Sequence, residues 1–380
     1  MTNSPLYPGR EILVFIPGFF GFGSFGPSDS PLIEYFRFAR TVIQATRAVD
    51  LPVIVHQPPP TGPLSLRAAS LHRTLQRLLT EGHEDIPVSK IHLVGHSSGG
   101  VDARLVTNTR YRWTGGPDSA SRAQLLKQIG SVITLAAPLR GTPLAQNLRP
   151  GMELAIPALW LASILASRHA LSLAGHVGLI VEAIEEFVIR RTTPEAELIA
   201  KLANVDAQTA RDIRRFLDEV IRDHRLVGDL TPHAMTELDR AITGADHPRL
   251  HSLVTVAPKP SRSLTAALAL ARDPLRSALY RLVHSLTRGA PPTAARWPSG
   301  PWIGPRPAGL RTDAHDASDG IVPTWSQTLK GHAAAIVSAD HLDVIGFYKG
   351  AGVTFLRSES RFDDAQFRAL WTRIAELIDP

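Results

Sequence analysis

The chain has 380 residues, 44% of them hydrophobic, which is ample apolar material for one large domain or two average ones. Its net charge of +6 rests on dispersed arginines that outnumber the lysines several-fold. No dense basic run carries interleaved aromatics, so nucleic acid is not an expected partner, and the charge reads as solubility and attraction to anionic surfaces. There is no cysteine, which excludes disulfides, thiolate nucleophiles and thiolate metal sites together.

Short apolar runs rich in β-branched residues punctuate the chain. In order they are Ile12–Ile16 before Pro17-Gly18, Val53–His56 before Gln57 and three prolines, Ile91–Val94 before Gly95, and Val132–Ala136 before Ala137-Pro138. Leu253–Val256 before Ala257-Pro258 and Ala335–Ser338 before Asp340-His341 complete the set. Helical patterns fall between the first four, around Ile33–Val49, Leu66–Leu79 and Gly99–Thr109. Nearly continuous apolar strands alternating with helices predict an α/β fold, a mostly parallel central sheet with helices on both faces. From about Glu153 to Thr243 the pattern is helical only, with Thr193-Pro194, Asp206 and Thr231-Pro232 as helix starts. A further helical stretch spans Ser263–Leu286, broken at Pro274, and Gly289–Gly309 reads as a long loop. The last predicted helix, about Asp363–Ile378, buries one face through Phe367, Leu370, Trp371, Ile374 and Leu377.

The longest uncharged apolar stretch, Leu154–Ser167, is short of the roughly 20 residues needed to cross a membrane. No charged start with a following apolar core precedes the first strand. The expected location is therefore cytoplasmic as the sequence stands, or secreted if a leader has been removed.

Gly95-His96-Ser97-Ser98-Gly99 fits G-x-S-x-G only with Ser97 at its centre. That motif describes a tight strand-to-helix turn presenting a serine hydroxyl, and it requires a strand before it and a helix after it. Both are predicted here. The glycines two residues either side leave room for the neighbouring strand and helix, whereas Ser98 has His96 at the equivalent position. Ser97 is therefore the candidate nucleophile. His96 is its sequence neighbour, and side chains on a tight turn diverge, so a supporting or packing role fits it better than that of base.

Triad partners in such a fold follow in the order Ser, Asp/Glu, His. Ala317-Ser-Asp-Gly-Ile-Val-Pro323 offers Asp319 on a glycine turn, and Ser338-Ala-Asp-His-Leu-Asp343 offers His341 just after a strand. Asp319 would orient the imidazole of His341, which would take the Ser97 proton. Asp313 and Asp316 remain as alternative acids, His315 and His332 as alternative bases, and Asp319-Gly320 also fits a plain β-turn.

Four blocks together resemble the bacterial true lipases and esterases of the α/β-hydrolase superfamily. Phe15-Ile-Pro-Gly-Phe-Phe-Gly-Phe22 is similar to their oxyanion loop, and Val94-Gly-His-Ser-Ser-Gly-Gly-Val-Asp-Ala-Arg104 to their elbow and its helix. Thr134-Leu-Ala-Ala-Pro-Leu-Arg-Gly-Thr142 resembles the segment after their next strand, and Asp319-Gly-Ile-Val with His341-Leu-Asp343 their D-G-x-V and H-L-D segments. The resemblance implies an α/β-hydrolase fold and ester hydrolysis through an acyl-enzyme. It places the oxyanion on the backbone N–H groups of Phe19 and Ser98. Two departures stand out: Pro17 and Leu139 replace histidines of the family, neither of them in the triad. Several of these lipases hold a structural calcium near the counterpart of Asp343. Here no acid occurs from Pro274 to Thr312 and Phe347 stands where a glutamine is expected, so no metal or other cofactor is expected.

Residues 1–150 and 245–380 form the expected hydrolase core, with a loop-rich insertion at about 260–312, and 151–244 a helical cap or lid. Leu154, Ile156, Leu159, Trp160, Leu161, Ile164 and Leu165 are apolar on more than one face, as a buried cap requires. The cap is the expected point of transient contact with a lipid interface. Phe19, Phe20, Phe22 and Phe25 are too apolar for a solvated turn; they fit an acyl-binding wall or core packing. Phe20, Phe22 and Trp160 are the candidate substrate contacts, for a hydrophobic ester. Amide or thioester hydrolysis, acyl transfer and polyester cleavage would use the same triad, and a silent fold that binds an apolar ligand is the reading from another class.

Overall fold

The computed structural model describes residues 9–21, 24–25, 33–46, 51–148, 197, 200, 206–260, 274–293, 295–348, 356 and 358–378. Each of the six apolar runs is a strand in it. In chain order the strands are β1 Arg10–Ile16, β2 Ser24–Phe25, β3 Ile33–Glu34, β4 Val53–Val55, β5 Val88–His96, β6 Ile129–Leu135, β7 Leu250–Val256, β8 Trp302–Ile303 and β9 Ala335–Ser338. β2 and β3 make a separate antiparallel pair, and the other seven form one sheet in the order β4-β1-β5-β6-β7-β9-β8. Every pairing in that sheet is parallel.

Parallel strands need cover on both faces, and the alternation of side chains supplies it. Leu13, Phe15, Val94 and Ile133 pack with helices Ala39–Thr46 and Asp364–Ile378, together with Phe36 before the first and with Phe367 and Trp371 in the second. Ile12, Val14, Ile16, Leu93 and Val132 point the other way, onto helices Leu64–Glu81 and Ser98–Thr107. Each such side chain contributes about 1.5–3 kcal/mol by leaving water. This is an α/β fold, a parallel sheet with helices on both faces.

Register decides what happens at the carboxyl edge. Ile16 lies opposite Gly95, and Gly95 opposite Thr134, so the loops after β1, β5 and β6 leave the sheet side by side. Ala339 N–H bonds Val256 C=O and Ala257 N–H bonds Ser318 C=O, which brings the segments after β7 and β9 to the same rim.

Two expected helix starts are capped as read: Asp206 accepts from Gln208 and Thr209 N–H, and Thr231 from Ala234 N–H. The expected helix Ile33–Val49 is shorter, Ala39–Thr46. Its early part cannot be helical because Arg37 N–H bonds Ile345 C=O and Phe38 has a left-handed φ of 63°. Helix Ser119–Lys127, capped by Asp118, and the edge strand β8 inside the expected loop Gly289–Gly309 are additions. β8 is two residues long and exists through its pairing with β9.

The described part of 151–244 is helical: Ala207–Arg222, Leu226–Asp229 and Pro232–Ile242. Leu226, Leu230, Met235 and Ile242 share one apolar cluster with Leu64, Val101 and Leu139. Buried Arg104 on the elbow helix bonds Asp239 at 2.6 Å and Asp246 at 2.8 Å, adding a charged anchor. Trp160 and the rest of the expected cap lie outside the described residues. No helix among the described residues is long and apolar enough to cross a membrane.

Candidate active site

β5 continues through Gly95 to His96, and helix Ser98–Thr107 begins two residues later. The reversal is made at Ser97 alone, with φ 55° and ψ −132°. A non-glycine residue in that region costs on the order of 1–3 kcal/mol and persists only when its surroundings hold it. Ser97 N–H bonds Leu135 C=O at 2.9 Å, and the turn is compressed between strand and helix. A Cβ at Gly95 would lie 2.2 Å from Gly99 O, and one at Gly99 2.1 Å from Ile16 O. Both motif glycines are thus sterically required. Ser98 is fully buried in the first helical turn, whereas Ser97 lines a cavity.

His341 follows β9 and lines the same cavity. Its Nδ1 lies 2.8 Å from Asp319 Oδ2, and its N–H bonds Asp319 C=O at 3.0 Å. Asp319 is fully buried on a tight turn closed by Asp319 N–H to Val322 C=O. With the antiparallel bridge between Ser318 and Pro323, that bond makes a tight reversal of the chain that presents the acid. Oδ1 accepts from the N–H groups of Ile321 and Val322 at 3.0 and 2.8 Å. Oδ2 accepts from Thr255 Oγ1 at 2.6 Å and Gln327 Nε2 at 3.4 Å besides His341. This shell of donors fixes the position of the carboxyl group. Thr255 and Gln327 were not singled out from the sequence; the available signal for Thr255 was a hydroxyl within the apolar run Leu253–Val256 at the end of β7. The alternatives sit elsewhere. Asp313 pairs with Arg311, Asp316 with Lys259, His315 packs against Trp297, and His332 is exposed.

The loop after β1 is pinned by Arg67, a fully buried side chain that pairs with Asp102 at 2.6 Å. Its Nη2 donates to Pro17 C=O at 3.0 Å and its Nη1 to Pro59 C=O at 2.7 Å. Phe20 N–H bonds Pro60 C=O and Gly21 N–H bonds Gly18 C=O. Phe19 N–H has no acceptor among the described residues. Ser98 is the first residue of its helix, so its N–H has no intrahelical acceptor either, and the positive end of the helix dipole lies there. Two free donors therefore stand on the elements that flank Ser97.

His96 is buried and bonded at both ring nitrogens, to Tyr35 Oη at 2.8 Å and to His341 O at 2.9 Å. Burial, followed by the neighbouring His341, holds its pKa well below that of a free imidazole. It is not turned toward the cavity as a base.

The cavity encloses about 1100 Å³ counted with its solvent-open mouth. Phe20, Leu144, Val227, Leu230, Val283 and Ile321 are among its walls. Among the described residues of its wall, the hydroxyls besides Ser97 are already engaged: Thr142 Oγ1 donates to Ile321 O at 2.6 Å, and Tyr35 Oη meets Gly18 N and His96. Phe22 and Trp160, the other two candidate substrate contacts, lie outside the described residues.

The donors around Asp343 do not fit a calcium ion. Asp343 Oδ2 accepts from Asp340 N–H at 2.9 Å and Ser360 Oγ at 3.0 Å. Asp340 in turn accepts from the N–H groups of Leu342, Asp343 and Ser358. Both carboxyls are committed to shaping the loop that carries His341. No third acid or histidine gathers with them among the described residues.

Neither a protein-family model nor a curated protein sequence matches the chain. Among solved structures, the chain is similar to EstA from Clostridium botulinum (16% identity, 99% of this chain and 89% of that one, TM-score 0.48). It is also similar to lipase 1 from Pelosinus fermentans (13% identity, 97% and 98% covered, TM-score 0.47). A metagenomic carboxyl esterase, MGS0156, is similar at 15% identity, with 97% and 75% covered and a TM-score of 0.46.

Proposed function

We propose that this chain is a serine hydrolase that cleaves carboxylic esters with hydrophobic acyl chains. The observation that carries the reading is the buried His341–Asp319 pair, 2.8 Å apart, opening onto the same apolar cavity as the strained Ser97. Ser97 Oγ attacks the ester carbonyl carbon while His341 Nε2 takes its proton. Asp319, bonded at Nδ1, fixes the tautomer that leaves Nε2 free to accept and stabilises the imidazolium that forms. The tetrahedral oxyanion is received by the N–H groups of Phe19 and Ser98, each contributing a few kcal/mol to the transition state (about 3 kcal/mol for one such donor). His341 then protonates the departing alkoxide, leaving an acyl-enzyme on Ser97. Water attacks that ester, gives its proton to His341, and the acid leaves as Ser97 recovers the proton. These steps draw on side chains, backbone and water, with no metal or cofactor.

The apolar walls favour an acyl chain over a small polar group, because the described wall side chains beyond Ser97 and His341 offer no uncommitted polar group to replace lost water. Residues 151–244 are read as the cap, whose described part supplies Val227 and Leu230 to the wall.

The test pairs a serine-reactive fluorophosphonate probe with hydrolysis of esters of graded acyl length, on wild type and Ser97→Ala. We expect wild type to label and to hydrolyse medium and long acyl esters, and the variant to do neither. Equal labelling of the two proteins refutes the nucleophile, and turnover restricted to small polar esters refutes the substrate class. Product appearing on an added alcohol in preference to water would reassign the chain to acyl transfer on the same triad.

A further inference from the structure

Two buried side chains that take no part in those steps join the loop after β1 to the loop that carries His341. Gly18 N–H meets Tyr35 Oη at 2.8 Å, Tyr35 Oη meets His96 Nδ1 at 2.8 Å, and His96 Nε2 meets the carbonyl oxygen of His341 at 2.9 Å. The direction of every bond follows from its ends. An amide N–H only donates, and a carbonyl oxygen only accepts. His96 Nε2 must therefore carry a proton toward His341 O. Burial keeps the ring neutral, so Nδ1 is bare and accepts from the Tyr35 hydroxyl, which in turn accepts from Gly18. The chain runs one way, from Gly18 to His341.

Its first link lies on a peptide already held from the other side. Arg67 donates to Pro17 C=O at 3.0 Å, and Tyr35 accepts from Gly18 N–H of the same planar unit. With both ends of that plane fixed, and Gly18 C=O bonded by Gly21 N–H, the direction of Phe19 N–H is fixed too. The last link lies on the backbone of His341, whose side chain already answers to Asp319. The His96 and His341 rings also pack, with centroids 4.7 Å apart.

We propose that Tyr35 and His96 are positioning residues, an oriented hydrogen-bond relay that holds the Phe19 donor and the His341 base in one geometry. The proposal rests on the ester-hydrolase reading above and deepens it. Neither residue touches the reacting atoms; they act through Gly18 and His341. Apolar side chains of similar shape would fill the same space, so packing alone does not account for a polar chain here.

The experiment compares Tyr35→Phe, His96→Leu and His96→Gln with wild type and Ser97→Ala on one soluble ester. The glutamine amide offers an acceptor and a donor with nearly the spacing of the two imidazole nitrogens, so it can keep both bonds; leucine keeps neither. We expect Tyr35→Phe and His96→Leu to lower kcat about 10- to 100-fold with KM little changed, since misplacement of reacting groups costs about that much. Thermal melting should stay close to wild type. His96→Gln should restore most of the kcat, which a merely space-filling role would not predict. Independently of activity, the ¹⁵N shifts of His96 should report the Nε2-protonated neutral tautomer.

Wild-type kcat in Tyr35→Phe and His96→Leu, beside an inactive Ser97→Ala, overturns the relay and leaves the hydrolase reading standing. A wild type that neither labels nor hydrolyses esters removes both. Should the leucine and phenylalanine variants fail to fold, His96→Gln and the ¹⁵N shifts decide: loss of activity in a folded glutamine variant, or a proton found on Nδ1, overturns the relay.

Discussion

Ser97 keeps a backbone conformation that its neighbours force on it, and the force is steric. Gly99→Ala would drive a methyl to 2.1 Å from Ile16 O, backbone against backbone, with no flexible side chain to yield. We expect about 3 kcal/mol of destabilisation, read in a denaturant melt, because strand β1 and the elbow helix must part. Asp319 depends on milder contacts. Thr255→Val removes the hydroxyl donated to Oδ2 at 2.6 Å while keeping shape, and should lower kcat on an ester by about tenfold, with the fold intact. Ser97 was legible because its motif is local: five consecutive residues with two required glycines. Asp319 and His341 were the preferred acid and base from the sequence, with Asp313, Asp316, His315 and His332 left as alternatives, since only the fold shows which of them reach the rim. Thr255, 64 residues before Asp319, left only a faint mark as a polar residue in the apolar run Leu253–Val256.

Elements that carry their own periodicity and breakers were legible in the sequence. The sheet strands rich in β-branched residues and helix Leu64–Glu81 fall within a few residues of their expected limits. Helix Asp364–Ile378 buries Phe367, Leu370, Trp371 and Ile374 as its spacing requires. Elements made by pairing were not. β8 is a strand because β9 offers an edge, and Ile33–Glu34 is extended because it meets Ser24–Phe25. The helical stretch 206–244 is tied to the elbow helix by charge as well as by apolar packing. Arg104→Met would remove the guanidinium that Asp239 and Asp246 share, leaving Asp239 with Arg140 and Asp246 with Asn108, and we expect a loss of about 2 kcal/mol in a thermal or denaturant melt. Amide exchange in Pro232–Ile242 should rise in that variant, since this helix loses its charged anchor.

Across the whole molecule, several histidines are folded away neutral. Burial, aided by the charges of Arg67 and Arg73, lowers the pKa of His56 to about 3; burial and Arg288 lower that of His284 to about 4. The unfolded chain takes a proton on each near pH 6.5, whereas the fold resists until its own lower pKa. Protons therefore favour the unfolded state, and this stability is full above about pH 6.5 and drains as pH falls toward 3. Asp340 and Asp343 oppose the trend, since burial raises both carboxyls, Asp340 to about 6, and their contribution is present in acid and lost as pH rises. Comparing wild type with His56→Leu isolates one group. Between pH 6 and 4 the variant should lose stability less steeply, by up to about 1.4 kcal/mol per pH unit. Equal slopes would mean that His56 is protonated in the fold.

The order of strands and helices, the elbow serine and the absence of thiol chemistry were determined by the sequence itself, because each is written in residues adjacent in the chain or at a fixed short period. The rest waited for the tertiary structure. Which acid faces His341, which donors surround that acid, and how Tyr35 and His96 join two loops are settled by parallel pairings that bring residues as far as 245 positions apart to one rim. A hydrogen bond requires atoms within about 3 Å, and only a folded sheet with a definite register supplies that closeness.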